Sequence, residues 1–444
     1  MDFKNKATRI DLFTLGTTPM RTFHVTWFAF FLCFFGWFGI APLMAVVRED
    51  LGLTAEQVGN TVIASVAMTV LARLLIGWLC DRIGPRRAYT LLLLVGSLPV
   101  MGIGLADSYE TFLLFRLAIG AIGAGFVITQ YHTSVMFASN VVGTANATTA
   151  GWGNLGGGVT QAVMPLILAF VLTFVVEESL GWRLAMVVPG VLLFAMAFVY
   201  WGLTTDSPDG DYKELRARGQ MASAASVRGT FGEAARDHRV WALFAIYGAC
   251  FGIELTIHNV AALYYFDYFA LDLRAAGLVA ALYGLMNIFA RSLGGMLGDK
   301  LGRTWGLKGR VRFLGGIQLL QGLALVLFSR MTSLPAAIAA MILFGICVQM
   351  TSGATYSVVP FINRRALGSV AGIVGAGGNA GAVAAGFLFR SPNLAWPTAF
   401  MTLGLIVMGV SGLSLLVRFS EEHEQAVRAE VRARLERIPV GAEA

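Results

Sequence analysis

An all-α polytopic membrane protein, with twelve transmembrane helices in two pseudo-symmetric six-helix bundles, is the fold class this sequence predicts, and three observations predict it. Hydrophobic residues fill 57% of the 444 positions and charged residues 13%, with a mean hydropathy of +0.70, a balance far from that of a soluble domain. The apolar residues are gathered into stretches long enough to cross a bilayer, which takes roughly 20 residues. A glycine and charge motif that follows the second stretch recurs 218 residues later.

The stretches lie at 23–47, 59–80, 88–106, 110–138, 145–176, 182–204, 239–270, 275–298, 311–330, 334–362, 366–389 and 395–417. All are read as helices, because in lipid only helices and closed barrels satisfy every backbone polar group. The polar segment after the sixth divides the chain into bundles at 1–204 and 239–418, joined by a cytoplasmic linker at 205–238 and followed by a charged cytoplasmic tail at 419–444. The tail, rich in Glu and Arg, reads as a solvated helix.

With both termini inside, 25 of the 33 Lys and Arg fall in the tails and the loops on that side. Arg48, Arg183, Arg274, Arg330 and Arg390 fall outside, and Arg73, Arg116 and Arg291 fall within spans. This asymmetry predicts a plasma (inner) membrane protein with both termini cytoplasmic. The net charge of +7 is therefore topological, and no nucleic-acid partner is expected, since that needs an exposed basic face. The first apolar run is too long for a signal-peptide core and lacks a small-residue cleavage site, so it is expected to stay as the first helix.

Cys33, Cys80, Cys250 and Cys347 are far apart and the five His are scattered, so neither a metal, a disulfide framework nor a catalytic cluster is suggested. An enzyme is not expected, nor a cofactor. No phosphate-binding Gly-x-x-x-x-Gly-Lys loop is present, which leaves ion-coupled or exchange transport as the way to move a solute against its gradient.

The repeated motif is Gly77-x-x-x-Asp81-Arg82-x-Gly84 after the second span and Gly295-x-x-x-Asp299-Lys300-x-Gly302 after the eighth; each matched pair is 218 residues apart. Two copies in register are the mark of a transporter built from related halves around a central pathway. The pattern resembles the loop motif of the major facilitator superfamily over nearly the whole chain. That resemblance implies alternating access, with Asp81, Arg82 and Asp299 as gating contacts that hold the outward-open state.

Arg73 and Arg291 are also 218 residues apart, one in the second helix of each half, so symmetry brings two guanidinium groups to equivalent depths. Intramembrane arginines are costly and commonly functional, and two of them favour a small anion that a planar fork can grip by two oxygens. Arg116 has no counterpart at this offset and reads as structural, and His132 as a satisfied core histidine. Asn154 and Asn379 sit in glycine runs at 151–158 and 375–381, where close helix packing explains most of the glycines and each amide can donate to an oxyanion.

These runs resemble the paired signatures of the nitrate/nitrite porter family, on the side of its proton-coupled importers. The resemblance implies nitrate, and nitrite, bound by Arg73, Arg291, Asn154 and Asn379, with Gly153 and Gly378 beside the amides, Tyr247 as a hydroxyl donor, and Phe126 and Phe251 sandwiching the flat anion. The second run departs from the first at Gly381-Ala382-Val383, so Asn154 is expected to matter more than Asn379. Glu254 and His258 lie four residues apart on one face of the seventh span, a pair able to carry a proton or to form a structural hydrogen bond. The expected function is proton-coupled nitrate import by a monomer in the lipid bilayer; nitrate/nitrite antiport across the same two arginines stays open as the alternative.

Overall fold

The computed structural model describes residues 3–221, 229–271, 273–390 and 394–435, and the regular elements among them are helices. The linker residues 222–228 and the tail beyond 435 lie outside them. In chain order the long helices are α1 Thr18–Leu43, α2 Ala55–Ile83, α3 Pro85–Leu105, α4 Tyr109–Met136, α5 Val142–Val171 and α6 Glu178–Leu203, then α7 His238–Phe269, α8 (273–305), α9 (307–329), α10 Leu334–Phe361, α11 Leu367–Arg390 and α12 Trp396–Leu416. A last helix, α13 Glu421–Leu435, lies beyond the membrane helices.

Nine stretches among the described residues are long and apolar enough to span a bilayer, and α5, bent by 44°, makes ten. Pro165 lies just past that bend, where its ring displaces the carbonyl four residues back. One of the nine, Val279–Ser329, is 51 residues long, about 76 Å of helix and far more than one crossing uses. Gly306, at φ 72° and ψ −158°, breaks it into α8 and α9; a side chain there would be strained and would meet Arg428 of α13 at 2.6 Å. With these arms counted separately and α2 included, the described chain makes twelve passes.

Polar ends start the helices where the sequence supplies caps. Thr54 and Gln57 bond each other's backbone N–H at the start of α2, and Ser108 and Thr111 do the same at α4. Arg116 donates to the Trp37 carbonyl at 3.2 Å, a structural contact within the first bundle. His132 is satisfied on both ring nitrogens, by Tyr200 at 2.6 Å and the Thr205 carbonyl at 2.7 Å.

The two bundles meet along α2 against α11 and α5 against α8, and the repeated glycines are where the backbones touch. A Cβ on Gly77 would lie 2.4 Å from the Gly368 carbonyl oxygen, and one on Gly295 would lie 2.3 Å from the Gly143 carbonyl oxygen. One turn on, each motif aspartate caps the opposing helix. Asp81 accepts from Gly368 N (3.0 Å), Ser369 N (3.0 Å) and Ser369 Oγ (2.8 Å) at the start of α11. Asp299 accepts from Gly143 N (3.1 Å), Thr144 N (2.6 Å) and Thr144 Oγ1 (2.7 Å) at the start of α5. A carboxylate there meets unsatisfied amides and the positive end of a helix dipole.

Arg82 departs from the expected set. It is exposed and stacks on Trp78, 5.1 Å from the ring centre. The cation paired with a motif aspartate is Arg310, on Asp299 and on the Ser139 carbonyl at 2.9 Å, because the turn at Gly306 folds α9 back against the end of α8.

The tail departs too. Rather than standing in solvent, α13 buries Val427 and Val431 against Leu307, Phe361 and Val142. Its Glu430 accepts from Ser139 Oγ (3.0 Å) in the first bundle and pairs with Arg364 (2.6 Å) in the second. The N-terminal arm is tied to Asp209 through Asn5, 2.7 Å, so both described ends lie on one face, which we call the terminal face.

Replacing Gly77 or Gly295 by Leu should part the bundles there and release the capped amides. Hydrogen–deuterium exchange of peptides covering 143–147 and 368–372 should speed at least tenfold in either variant; unchanged exchange would mean that these contacts do not hold the terminal face closed.

Candidate functional site

Midway along the bundle interface, α2, α4, α5, α7, α8, α10 and α11 bring together Arg73, Phe126, Asn154, Tyr247, Phe251, Glu254, Arg291, Tyr356 and Asn379, nearly all fully buried. Arg73 donates through Nε to the Gly123 carbonyl (3.3 Å) and through Nη1 to the Gly375 carbonyl across the interface (2.5 Å), while its Nη2 has no partner among the described residues. Arg291 donates through Nη2 to the Tyr247 hydroxyl (2.9 Å), and its Nη1 faces Glu254 Oε2 at 3.4 Å. Two guanidinium groups and one carboxylate leave the site with a surplus of one positive charge.

The aromatic rings lie within reach of both arginines. Phe126, Tyr247 and Phe251 are near-parallel, with centroids 5.2 to 5.9 Å apart, and Tyr356 stands edge-on to Phe126 at 4.9 Å. Arg73 lies 4.8 Å from the Phe126 centroid and 5.3 Å from that of Phe251, and Arg291 lies 5.9 and 5.6 Å from the same two. These are cation–π distances, so the rings soften the burial of both charges. A planar anion between two ring faces needs about 7 Å, twice a van der Waals contact of about 3.5 Å. The 5.9 Å between Phe126 and Phe251 therefore has to widen before the expected sandwich can form.

The two asparagines are not equivalent, and the difference runs against the expected order. Asn154 already donates Nδ2 to Glu254 Oε1 at 3.1 Å. Asn379 is fully buried with neither amide atom partnered among the described residues. It lies one turn beyond Gly375, on the face of α11 that meets Arg73. Unpaired buried donors cost about 1–3 kcal/mol each, and an acceptor-only ligand would take the hydrogens of Asn379 Nδ2 and Arg73 Nη2 while leaving Asn379 Oδ1 unpaired.

Gly153 and Gly378 act as spacers. A Cβ on Gly153 would lie 2.0 Å from the Phe30 ring, and one on Gly378 would lie 2.5 Å from Phe251 and 3.0 Å from Tyr247. Glu254 and His258 are not joined by a hydrogen bond among the described residues: Glu254 is turned to Arg291 and Asn154, whereas His258 is exposed and edge-on to Tyr283 at 5.3 Å.

Two residues escaped the sequence. Asn287 donates to Glu254 Oε1 at 3.3 Å, and Tyr356 closes the aromatic cluster while donating to the Ala371 carbonyl at 3.3 Å. Asn287 carried a usable signal, a polar residue one turn before an intramembrane arginine; Tyr356 lies in the polar run 351–357 of an apolar helix and stood out less.

Because its Cβ would strike rings already stacked on one another, Gly378→Ala should lower transport at least tenfold in reconstituted vesicles at equal protein. Gly158→Ala, on the same kind of glycine run but with nothing within 4 Å, should transport within twofold of the parent. Equal effects would remove the spacer role of Gly378.

Comparison with known proteins agrees with this architecture. Residues 26–385 match the family model described as Major Facilitator Superfamily. The chain is 39% identical to the high affinity nitrate transporter 2.5 of Arabidopsis thaliana, over 93% of this chain and 82% of that one. It is 37% identical to the high-affinity nitrate transporter 2.3 of Oryza sativa over 95% and 82%, and 29% identical to the nitrate/nitrite transporter NrtP of Nostoc punctiforme over 87% and 90%. Among solved structures, the proton:xylose symporter XylE is similar with a TM-score of 0.71 at 13% identity, covering 94% of this chain and 99% of that one; this likeness speaks for the fold alone. Helix arrangement, repeated motif and relatives agree: this chain is a membrane transporter, not an enzyme, and belongs to the nitrate/nitrite porter family of the major facilitator superfamily.

Proposed function

We propose that this protein imports nitrate, and nitrite with it, by proton symport, and the observation that carries the reading is the Glu254 carboxylate facing Arg291 inside the arginine site. Glu254 holds the place that an oxyanion would take on Arg291. A proton on Glu254 removes that competitor, frees Nη1 and raises the net charge of the site by one. Nitrate then gains both arginines and the free amide of Asn379, with Tyr247 next to it. On the other side, loss of the proton returns Glu254 to Arg291 and expels the anion. Protonation and anion binding thus favour one another, as symport requires.

The electrical balance supports protons as the partner. Nitrate moving alone into a negative interior costs about 2.3 kcal/mol per 100 mV, and two protons moving with it reverse the sign. His258, exposed and one turn from Glu254 on the same helix face, is suited to pass the proton inward through water.

The Lys and Arg distribution supports a terminal face that is cytoplasmic, in a plasma (inner) membrane. On this reading 1–204 and 239–418 rock as units about the site, the linker 205–238 and tail 419–444 stay on the cytoplasmic side, and Asp81 and Asp299 let go of α11 and α5 when the cytoplasmic side opens. The chain acts as a monomer, since the pathway lies within one copy.

Uptake of labelled nitrate into proteoliposomes tests the function. Accumulation should require an inward proton gradient and need no internal anion; accumulation only in vesicles preloaded with nitrite would establish exchange instead. Arg73→Lys and Arg291→Lys keep the charge but lose the fork, and each should lower uptake at least a hundredfold, whereas near-normal uptake by both would make the arginines structural. Glu254→Gln should abolish proton-driven accumulation while leaving nitrate exchange.

A further inference from the structure

We propose that Asn154 and Asn287 are positioning residues that decide which oxygen of Glu254 receives the coupling proton. The inference rests on the reading of Glu254 as the proton carrier. A carboxylate oxygen offers two in-plane lone pairs. Oε1 of Glu254 takes two amide donors, Asn154 Nδ2 at 3.1 Å from α5 and Asn287 Nδ2 at 3.3 Å from the tight turn within α8. Among the described residues Oε2 faces only Arg291 Nη1, at 3.4 Å, so the open lone pair of the group is on Oε2.

The orientation of both amides follows from the charge. Turning either amide over would bring its oxygen against the carboxylate, and both Oδ1 atoms have no partner among the described residues that would favour the turned form. With Oε1 taken, the proton goes to Oε2, on the side of Arg291. The proton takes the open lone pair of Oε2 and leaves the one facing Arg291 on an uncharged hydroxyl oxygen, a poor acceptor, so the contact with Arg291 is weakened. A proton on Oε1 would instead leave Oε2 as a carbonyl acceptor and Arg291 still held. The asparagine pair therefore converts protonation into release of the arginine.

The link also crosses the interface, since Asn154 belongs to the first bundle and Glu254 to the second. Asn154 thus serves the proton carrier rather than the anion, which leaves Asn379 as the amide free for substrate. The other titratable or charged groups facing Glu254 are Tyr247, Cys250 and His258 on its own helix, and Arg291 and Tyr283 on α8. From α10 the aromatic cluster brings Tyr356. The sequences of α5 and α12, and of α11 up to Arg390, carry no titratable residue, so the amides are the whole contribution of α5.

The test measures nitrate uptake into proteoliposomes against external pH for the full chain and for Asn154→Ala, Asn287→Ala, Asn287→Gln and Glu254→Gln. Each alanine variant removes a donor that favours the charged carboxylate, so Glu254 should hold its proton more tightly. The pH of half-maximal uptake should move up by about one unit, a tenfold rise in proton affinity, and uptake should persist to more alkaline pH. Asn287→Gln, which retains a donor, should return the midpoint toward that of the parent. Purely structural asparagines would lower uptake at every pH without moving the midpoint, and that result overturns the inference. Proton-driven uptake surviving in Glu254→Gln would overturn the carrier reading itself. Abolition there, with unmoved midpoints in both alanine variants, would overturn only the assignment of the asparagines. Should one alanine variant fail to fold, the other together with Asn287→Gln decides.

Discussion

Two guanidinium groups buried at the centre of an apolar membrane protein set the terms for the rest of the structure. Removing one ion from water costs several kcal/mol even after the protein relaxes, and Arg73 and Arg291 share one site without enough carboxylate to neutralise both. The architecture around them supplies what compensation it can. Backbone carbonyls of Gly123 and Gly375 take Arg73, Tyr247 and Glu254 take Arg291, and the faces of Phe126 and Phe251 lie beside both. Among the described residues of the site, Arg73 Nη2, both amide atoms of Asn379 and the amide oxygens of Asn154 and Asn287 remain without partners. On the proposed reading a small anion takes the donors of that set once the rings part and Glu254 leaves Arg291.

The same incompleteness explains why a carboxylate sits in an anion site. A third fixed charge on Arg291 would be wasteful in a protein that only bound nitrate. On the reading proposed above, a built-in competitor whose charge depends on a proton turns binding and release into a cycle. The cost of the competitor falls away when the proton and the anion arrive together.

Motion of the bundles depends on contacts that can be made and broken reversibly. The terminal face is closed by backbone-to-backbone approach at Gly77 and Gly295 and by Asp81 and Asp299 on the first amides of α11 and α5. Charge-assisted bonds of this kind are worth about 1.5–3 kcal/mol each, enough to favour one state yet small enough for ligand binding to overcome. Docking of α13 across both bundles through Glu430 adds to the closed side of that balance.

Much of this was legible in the residues themselves, for a definite reason. The spans follow from hydropathy, and the proposed orientation rests on where Lys and Arg fall; both are local properties that lipid enforces without reference to tertiary contacts. The pairing of Arg73 with Arg291 and of Asp81 with Asp299 was readable because duplication leaves a constant offset in the chain. Partnership was not readable. That Glu254 turns to Arg291 and not to His258, that Asn154 is taken while Asn379 is free, that Arg310 replaces Arg82 beside an aspartate, and that the charged tail is docked all depend on which helix faces which across the interface. The offset relates equivalent positions in the two halves, but hydrogen bonds form between positions that are not equivalent, and only the packing of α5, α7, α8 and α11 brings those within reach.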